Sequence, residues 1–254
     1  MATFEALGIR KSYGGTHALK GVDLRVRPGT VHALLGENGA GKSTLVKILT
    51  GVQRPDSGEV RLDGRTVNFA NTSQASASGV AVVSQELSLF PDMDVLSNLY
   101  PMRERRRGLL VDRAEMRRLA LPVLHSLGLN VDLDDPLSEL SLAERQLIEI
   151  TRALITNPQV LVLDEPTSAL DVSVQRQVLA LLAELQRKHG MSYVFISHDL
   201  AVVRAMSHRV LVMKDGDVVE EGEAETLFAA PREPYTRALL AAAQLSEPGA
   251  ALPA

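Results

Sequence analysis

Apolar positions run along this chain in two rhythms. Over residues 4–26 they alternate with polar ones and are broken by Gly8, Gly14, Gly15 and Gly21, which predicts short antiparallel strands. Four later stretches are almost wholly apolar, at residues 31–35, 79–84, 160–164 and 193–197, and predict buried strands. Residues 42–50 have helical spacing and stop at Gly51, a C′ glycine. Residues 55–58 predict a turn, and residues 59–64 a strand and a hairpin turn. Residues 71–79, rich in Ser, Ala and Asn, predict a short polar helix or a loop. From 92 to 157 the pattern turns mostly helical; an amphipathic helix opens at Ser141, a natural N-cap, with Glu144 three residues on completing a capping box. A helix is predicted over 171–188. Strands at 209–213 and 218–220 are joined by Asp215-Gly216, and a short helix, a last apolar helix and a loose Ala/Pro-rich tail over 246–254 follow.

Against this pattern, the stretch Gly36-Glu37-Asn38-Gly39-Ala40-Gly41-Lys42-Ser43-Thr44 stands between a buried strand and a helix. It matches G-x-x-x-x-G-K-[ST], a loop whose backbone N–H groups turn inward around nucleotide phosphates. Glycine lets the backbone approach phosphate oxygens that a Cβ would keep away. Lys42 suits the β- and γ-phosphates and the Ser43 hydroxyl suits Mg²⁺, with the helix N-terminus aimed at the anion. Other polar groups end buried strands, where α/β sheets place ligand groups. These are Gln85-Glu86 after 79–84, the carboxylates Asp164 and Glu165, and His198-Asp199 after 193–197. Asp164 suits a Mg²⁺–water ligand and Glu165 a general base. Of six histidines only His198 is so placed; the others read as surface or packing residues. Tyr13, read from its strand alone, is a half-buried tyrosine.

Composition narrows the function classes. The chain has 254 residues, 45% hydrophobic and 23% charged, an ordinary globular balance with room for one large domain and a subdomain. A formal charge of −4 argues against a general nucleic-acid binder. The absence of cysteine excludes disulfides and thiolate chemistry and fits a reducing compartment. No apolar run reaches the roughly eighteen residues of a membrane span, and no signal-peptide pattern is seen, so a membrane role needs a partner chain. Arg103-Glu104-Arg105-Arg106-Arg107 is the one strong positive run. It reads as a solvated helix end or loop, with contact to lipid headgroups or an acidic partner as the alternative.

Taken together and in this order, these motifs resemble the ATP-binding-cassette ATPases of ABC transporters over nearly the whole chain. The resemblance assigns Walker A to residues 36–44, the glutamine loop to Gln85, Walker B to residues 160–164, the base to Glu165, the D-loop to Ser168-Ala169-Leu170-Asp171 and the switch histidine to His198. Tyr13 falls where the family stacks an aromatic on adenine, which reverses its bland reading. Residues 140–146 stand in place of the family's Leu-Ser-Gly-Gly-Gln signature, with Leu142 and Ala143 replacing the two glycines. In the family this segment meets the γ-phosphate of ATP held by the opposite subunit, and Ser141 still offers a hydroxyl. Ala143 adds a methyl where backbone meets phosphate. Residues 36–157 look like sugar importers, which usually carry two cassettes per chain. From Asp164 onward the chain looks like dipeptide and oligopeptide importers, as in Pro234-Tyr235-Thr236-Arg237.

The resemblance implies an α/β P-loop NTPase with a RecA-like core, a mixed sheet, an N-terminal antiparallel β-subdomain and an inserted helical subdomain at about 87–157. Residues 1–245 are then one ABC ATPase domain, followed by a tail. ATP is expected to be held by Tyr13, Gly36, Asn38, Gly39, Gly41, Lys42, Ser43, Thr44 and, across a dimer, Ser141. Mg²⁺ is expected at Ser43, Gln85 and Asp164, and catalysis at Glu165, His198 and Gln85. Expected partners are membrane permease subunits, a second cassette and, indirectly, a solute-binding protein, at the cytoplasmic face of the membrane. Sugar is the favoured solute and peptide the next. Two other readings stay open: a soluble cassette acting on another target, and a regulatory cassette whose altered signature gives weak turnover.

Overall fold

The computed structural model describes residues 3–85, 87–168 and 170–246. Glu86, Ala169 and the expected tail beyond Ser246 lie outside them.

The alternating N-terminal segment forms β1 (Phe4–Tyr13) and β2 (Thr16–Val26), which pair antiparallel. With β4 (Ser57–Leu62) and β5 (Arg65–Val67) they make a four-stranded sheet in the order β2-β1-β4-β5. The apolar runs become β3 (Val31–Leu35), β6 (Val80–Val83), β9 (Val160–Asp164) and β10 (Ser192–Ile196). Together with β11 (Arg209–Lys214) and β12 (Asp217–Glu223) they form a second sheet, ordered β12-β11-β3-β10-β9-β6. Its pairs are parallel except for β11 with β12, so the sheet is mixed.

These central strands are apolar at nearly every position because both faces are covered. Leu34, Val162, Val194, Ile196 and Leu211 face one core with the antiparallel sheet and α1 (Lys42–Leu49). Leu35, Leu163, Tyr193, Phe195 and Val212 face the other, with α6 (Val172–His189), α7 (Leu200–Met206), α8 (Ala224–Ala229) and α9 (Pro234–Ser246). Residues 71–79 include a helix, α2 (Thr72–Ala77), because the Asn71 side chain accepts the Gln74 amide proton and caps it. Helix α7, which the apolar pattern did not predict, is capped by Asp199 in the same way.

A third core, around Leu96, Met116, Leu124, Leu137 and Ile148, joins α3 (Val95–Leu99), α4 (Arg113–Ser126) and α5 (Leu142–Leu154). Helix α5 serves two cores, since Ile148 faces this one and Ile150 the sheet. The positive run does not end a helix. It leads into a hairpin of β7 (Arg106–Arg107) and β8 (Leu110–Val111), where Gly108 takes φ 65° in a two-residue loop.

Candidate functional site

The parallel strands of the mixed sheet all point the same way, so the residues just past their carboxyl ends gather at one rim. β3 delivers the loop 36–44; β10, hydrogen-bonded between β3 and β9, delivers Ser197 and His198; β9 delivers Asp164 and Glu165; and β6, beyond β9, delivers Gln85. A cleft of about 490 Å³ opens there. Of the residues named from the sequence, Asn38, Gly39, Gly41, Lys42, Ser43, Thr44, Gln85, Asp164, Glu165 and His198 line it.

The loop's shape depends on its glycines. Gly36 has φ 146°, and a Cβ there would lie 2.2 Å from the Met213 carbonyl oxygen. Gly41, at φ 106°, is the N-cap of α1, and a Cβ on it would meet the Ala18 carbonyl oxygen at 2.7 Å. Outside supports hold the loop in place: the Gly216 amide donates to the Ala40 carbonyl, and the Glu37 amide donates to the Tyr235 hydroxyl at 3.2 Å. Lys42 Nζ donates to the carbonyls of Gly36 (2.6 Å) and Glu37 (3.0 Å), which keeps the ammonium inside the curve of the loop.

Across the cleft stands a polar cluster. Glu165 Oε2 accepts from Gln85 Nε2 at 3.2 Å and lies 3.3 Å from His198 Nδ1. Burial, and then the neighbouring Glu165 charge, push the Asp164 carboxyl above its ordinary pKa, with Lys42 and Lys47 opposing. Burial also lowers Lys42, while Glu165 and Asp164 pull it back up. Each charge would therefore gain from a ligand that brings the opposite one.

Three of the predicted residues lie outside the cleft lining: Gly36, at the start of the loop, Tyr13 and Ser141. Tyr13, at the end of β1, is exposed, donates to Gln53 Oε1, and has Lys11 Nζ 5.8 Å from its ring centroid. Ser141 caps α5: its Oγ accepts from the Glu144 amide and donates to Glu144 Oε2 at 2.7 Å, while Glu144 also accepts the Ser141 amide, the full capping box. Its hydroxyl proton is thus engaged within its own chain. Leu142 beside it is half exposed.

Three features were missed from sequence. The Gln146 amide donates to the Pro166 carbonyl, tying α5 to the segment after Glu165. Glu149, 1% exposed, accepts from the Ser88 amide at 2.7 Å and from Arg152, which itself donates to the Ser88 carbonyl. Tyr235 braces the phosphate loop from α9. Glu149 was detectable as a carboxylate on the apolar face of a helix. Tyr235 carried no such signal.

A phosphate loop opposed by strand-tip carboxylates on a mixed α/β sheet defines a P-loop nucleotide-binding domain. The chain belongs to the ABC transporter family, whose family model matches residues 19–168. It is 47% identical over 221 residues to the ribose import ATP-binding protein RbsA 1 of Burkholderia thailandensis, covering 86% of this chain and 44% of that protein. It is 42% identical over 224 residues to a putative ribose/galactose/methyl galactoside import ATP-binding protein of Pseudomonas fluorescens, covering 88% and 43%. The chain thus spans less than half the length of these relatives. Among solved structures, a nucleotide-free ATP-binding cassette from an ABC transporter superposes with a TM-score of 0.83 at 27% identity, covering 94% of this chain and 98% of that one. A dimeric post-hydrolysis cassette bound to ADP and Pi superposes with a TM-score of 0.77 at 28% identity, covering 87% and 98%.

Proposed function

We propose that the chain is the ATP-binding and ATP-hydrolysing part of an importer for a small solute, a sugar, acting through a separate membrane permease. The observation that carries this reading is the single rim where the phosphate loop faces Gln85, Asp164, Glu165 and His198. The loop amides and Lys42 hold the phosphates, with Gly36, Asn38, Gly39, Gly41 and Thr44 shaping the cradle and Tyr13 offering a ring to adenine. Ser43, Gln85 and Asp164 are the groups that fit Mg²⁺. Among the described residues no cluster of three metal-ligating side chains exists, as suits an ion that takes most of its oxygens from phosphate and water. Bound there, Mg²⁺ neutralises charge on the phosphates. Glu165 orients the attacking water and accepts its proton. Gln85 and His198, both on Glu165 Oε2, aim that carboxylate, and His198 senses the γ-phosphate. Positioning and charge stabilisation are most of what phosphoryl transfer needs.

A second cassette is proposed to close the site with its own Ser141 segment, head to tail. A groove of about 610 Å³ next to Gln85, rimmed by the exposed Val52, Phe90 and Met102, suits a cytoplasmic element of the permease. Among the described residues no helix is long and apolar enough to cross a membrane, so the chain's place on the cytoplasmic face comes through that partner. The solute-binding protein is met only through the permease. Sugar is preferred to peptide because the relatives above carry sugar names over 221 or more aligned residues, a span that takes in most of the second half. Leu142 and Ala143 support a second reading, a regulatory cassette of weak turnover.

Glu165→Gln tests the assignment of the base. The purified variant is expected to bind labelled ATP as the parent does and to hydrolyse none. Cells relying on it are expected to take up no labelled ribose. Unchanged hydrolysis would remove Glu165 from its role.

A further inference from the structure

The segment between α3 and α4 lines no part of the nucleotide cleft. Among the described residues, the three most exposed large apolar side chains are all in it: Leu109 (95%), Met102 (89%) and Leu110 (76%). Val111 is exposed as well. Arg105, Arg106 and Arg107 stand among them, exposed, and none forms an ion pair among the described residues. This concentration of arginine runs against the chain's net charge of −4. A merely solvated loop needs no leucine at its tip, and a packed element would not keep the Arg106 and Arg107 guanidinium groups without an ion pair, while the Arg105 charge reaches Glu115.

The pairing shows how the two kinds of side chain are arranged. Arg107 lies opposite Leu110 and Arg106 opposite Val111, so each face of the hairpin carries one cation and one apolar group, and Leu109 sits in the loop between the strands. Hairpins of two residue pairs have little stability of their own. A protein groove would cover one face of such a ribbon. A membrane surface accommodates both, with leucine at the acyl boundary and guanidinium groups at the level of the phosphates. We propose that the Arg105–Val111 hairpin contacts the membrane directly and takes anionic phospholipid headgroups. Its placement agrees: Pro101, Met102 and Arg103, just before the hairpin, wall the groove assigned to the permease. That last argument rests on the permease reading; lipid binding by the chain alone does not.

Each arginine near an anionic surface strengthens partitioning about fivefold, so three give on the order of a hundredfold. That makes the hairpin a supplementary hold beside the permease and not an independent anchor. The test is cosedimentation of the full chain with vesicles of phosphatidylcholine, with and without phosphatidylglycerol, at low and high salt. Binding is expected only to the anionic vesicles and is expected to fall as salt rises. The triple variant Arg105→Gln, Arg106→Gln, Arg107→Gln is expected to bind about a hundredfold more weakly, and Leu109→Ser with Leu110→Ser to bind more weakly than the parent. Both variants are expected to bind ATP as the parent does, which shows that they are folded. Absence of binding to anionic vesicles, equal binding to neutral ones, or a triple variant that binds like the parent would overturn the proposal. So would a triple variant that binds vesicles normally but no longer copurifies with the permease, since the partner is then protein. ATP hydrolysis measured beside these assays reports on the proposed function separately.

Discussion

Glu165 stands one residue past β9 with φ 50°, a left-handed backbone that side-chain-bearing residues adopt at a cost of about 1–3 kcal/mol. Its amide donates to the Ile196 carbonyl at 2.9 Å, which holds the kink and turns the carboxylate toward Gln85 and His198. A second residue-scale effect lies at the opposite end of the sheet, on β3, one strand removed from β9. His32 on β3 is 3% exposed; its Nε2 accepts from the Arg27 amide and contacts the Thr30 hydroxyl. Burial, followed by the charges of Arg209 and Arg27, lowers its pKa to about 4. The folded chain therefore refuses a proton that the unfolded chain takes up near pH 6.5. This contribution to stability is complete above about pH 6.5 and is lost as pH falls toward about 4, roughly 3 kcal/mol over the window. Urea unfolding of the parent and of His32→Gln across this range is expected to show a steeper loss in the parent by about that amount.

Among the elements, α5 links the most parts of the machine. Its N-terminus carries the segment in place of the family signature, Gln146 reaches the segment after Glu165, and Glu149 with Arg152 clasps Ser88, three residues past Gln85. A shift of α5 would thus be felt beside both Glu165 and Gln85, the proposed base and glutamine loop. The Glu149–Arg152 pair is mostly enclosed, with side chains 1% and 15% exposed. Removing the acid leaves a poorly solvated guanidinium and an unpaired Ser88 amide, a loss of about 3–5 kcal/mol. Glu149→Ala is expected to lower the melting temperature by about 6–20 °C, following the usual scaling for a domain of this size. Its kcat is expected to fall more than its affinity for ATP, because the phosphate loop is untouched. Glu149→Gln keeps an acceptor for the Ser88 amide and is expected to recover part of both.

At the scale of the molecule, one cassette holds a cleft and, at the α5 N-terminus, the Ser141 segment, which closes a capping box on its own helix and does not line that cleft. The proposed head-to-tail pairing would bring that segment to the cleft of a second copy. Leu142, half exposed at the first turn of α5, and Ala143 would then face the partner's nucleotide. Restoring glycine at both positions is expected to cost about 1–2 kcal/mol of stability through helix propensity. It is also expected to raise ATPase activity and sharpen its dependence on protein concentration. An unchanged rate would show that the fold tolerates the Leu-Ala signature and would count against the weak-turnover reading.

Sequence alone determined the long buried strands, the phosphate loop and the Ser141 cap, because those follow from local rules. β9 and β10 are apolar throughout since both faces are covered, Gly36 and Gly41 admit backbone that a Cβ forbids, and Ser141 with Glu144 closes a box within four residues. Their place at the tips of buried strands singled out Gln85, Glu165 and His198, 80 and 33 positions apart, and the resemblance added the glutamine-loop and switch roles. Only the tertiary structure decided that these three meet on one carboxylate oxygen, because strand order brings β6, β9 and β10 side by side. It alone showed Tyr235 bracing the loop from 198 residues away, and Glu149 clasping Ser88. It also gave the arginine run, expected as a solvated helix end or loop, the form of an exposed hairpin, since Gly108 permits a two-residue turn that charge and periodicity do not foretell. Contacts between distant segments depend on the chain's path through the sheet, and no pattern within either segment contains that path.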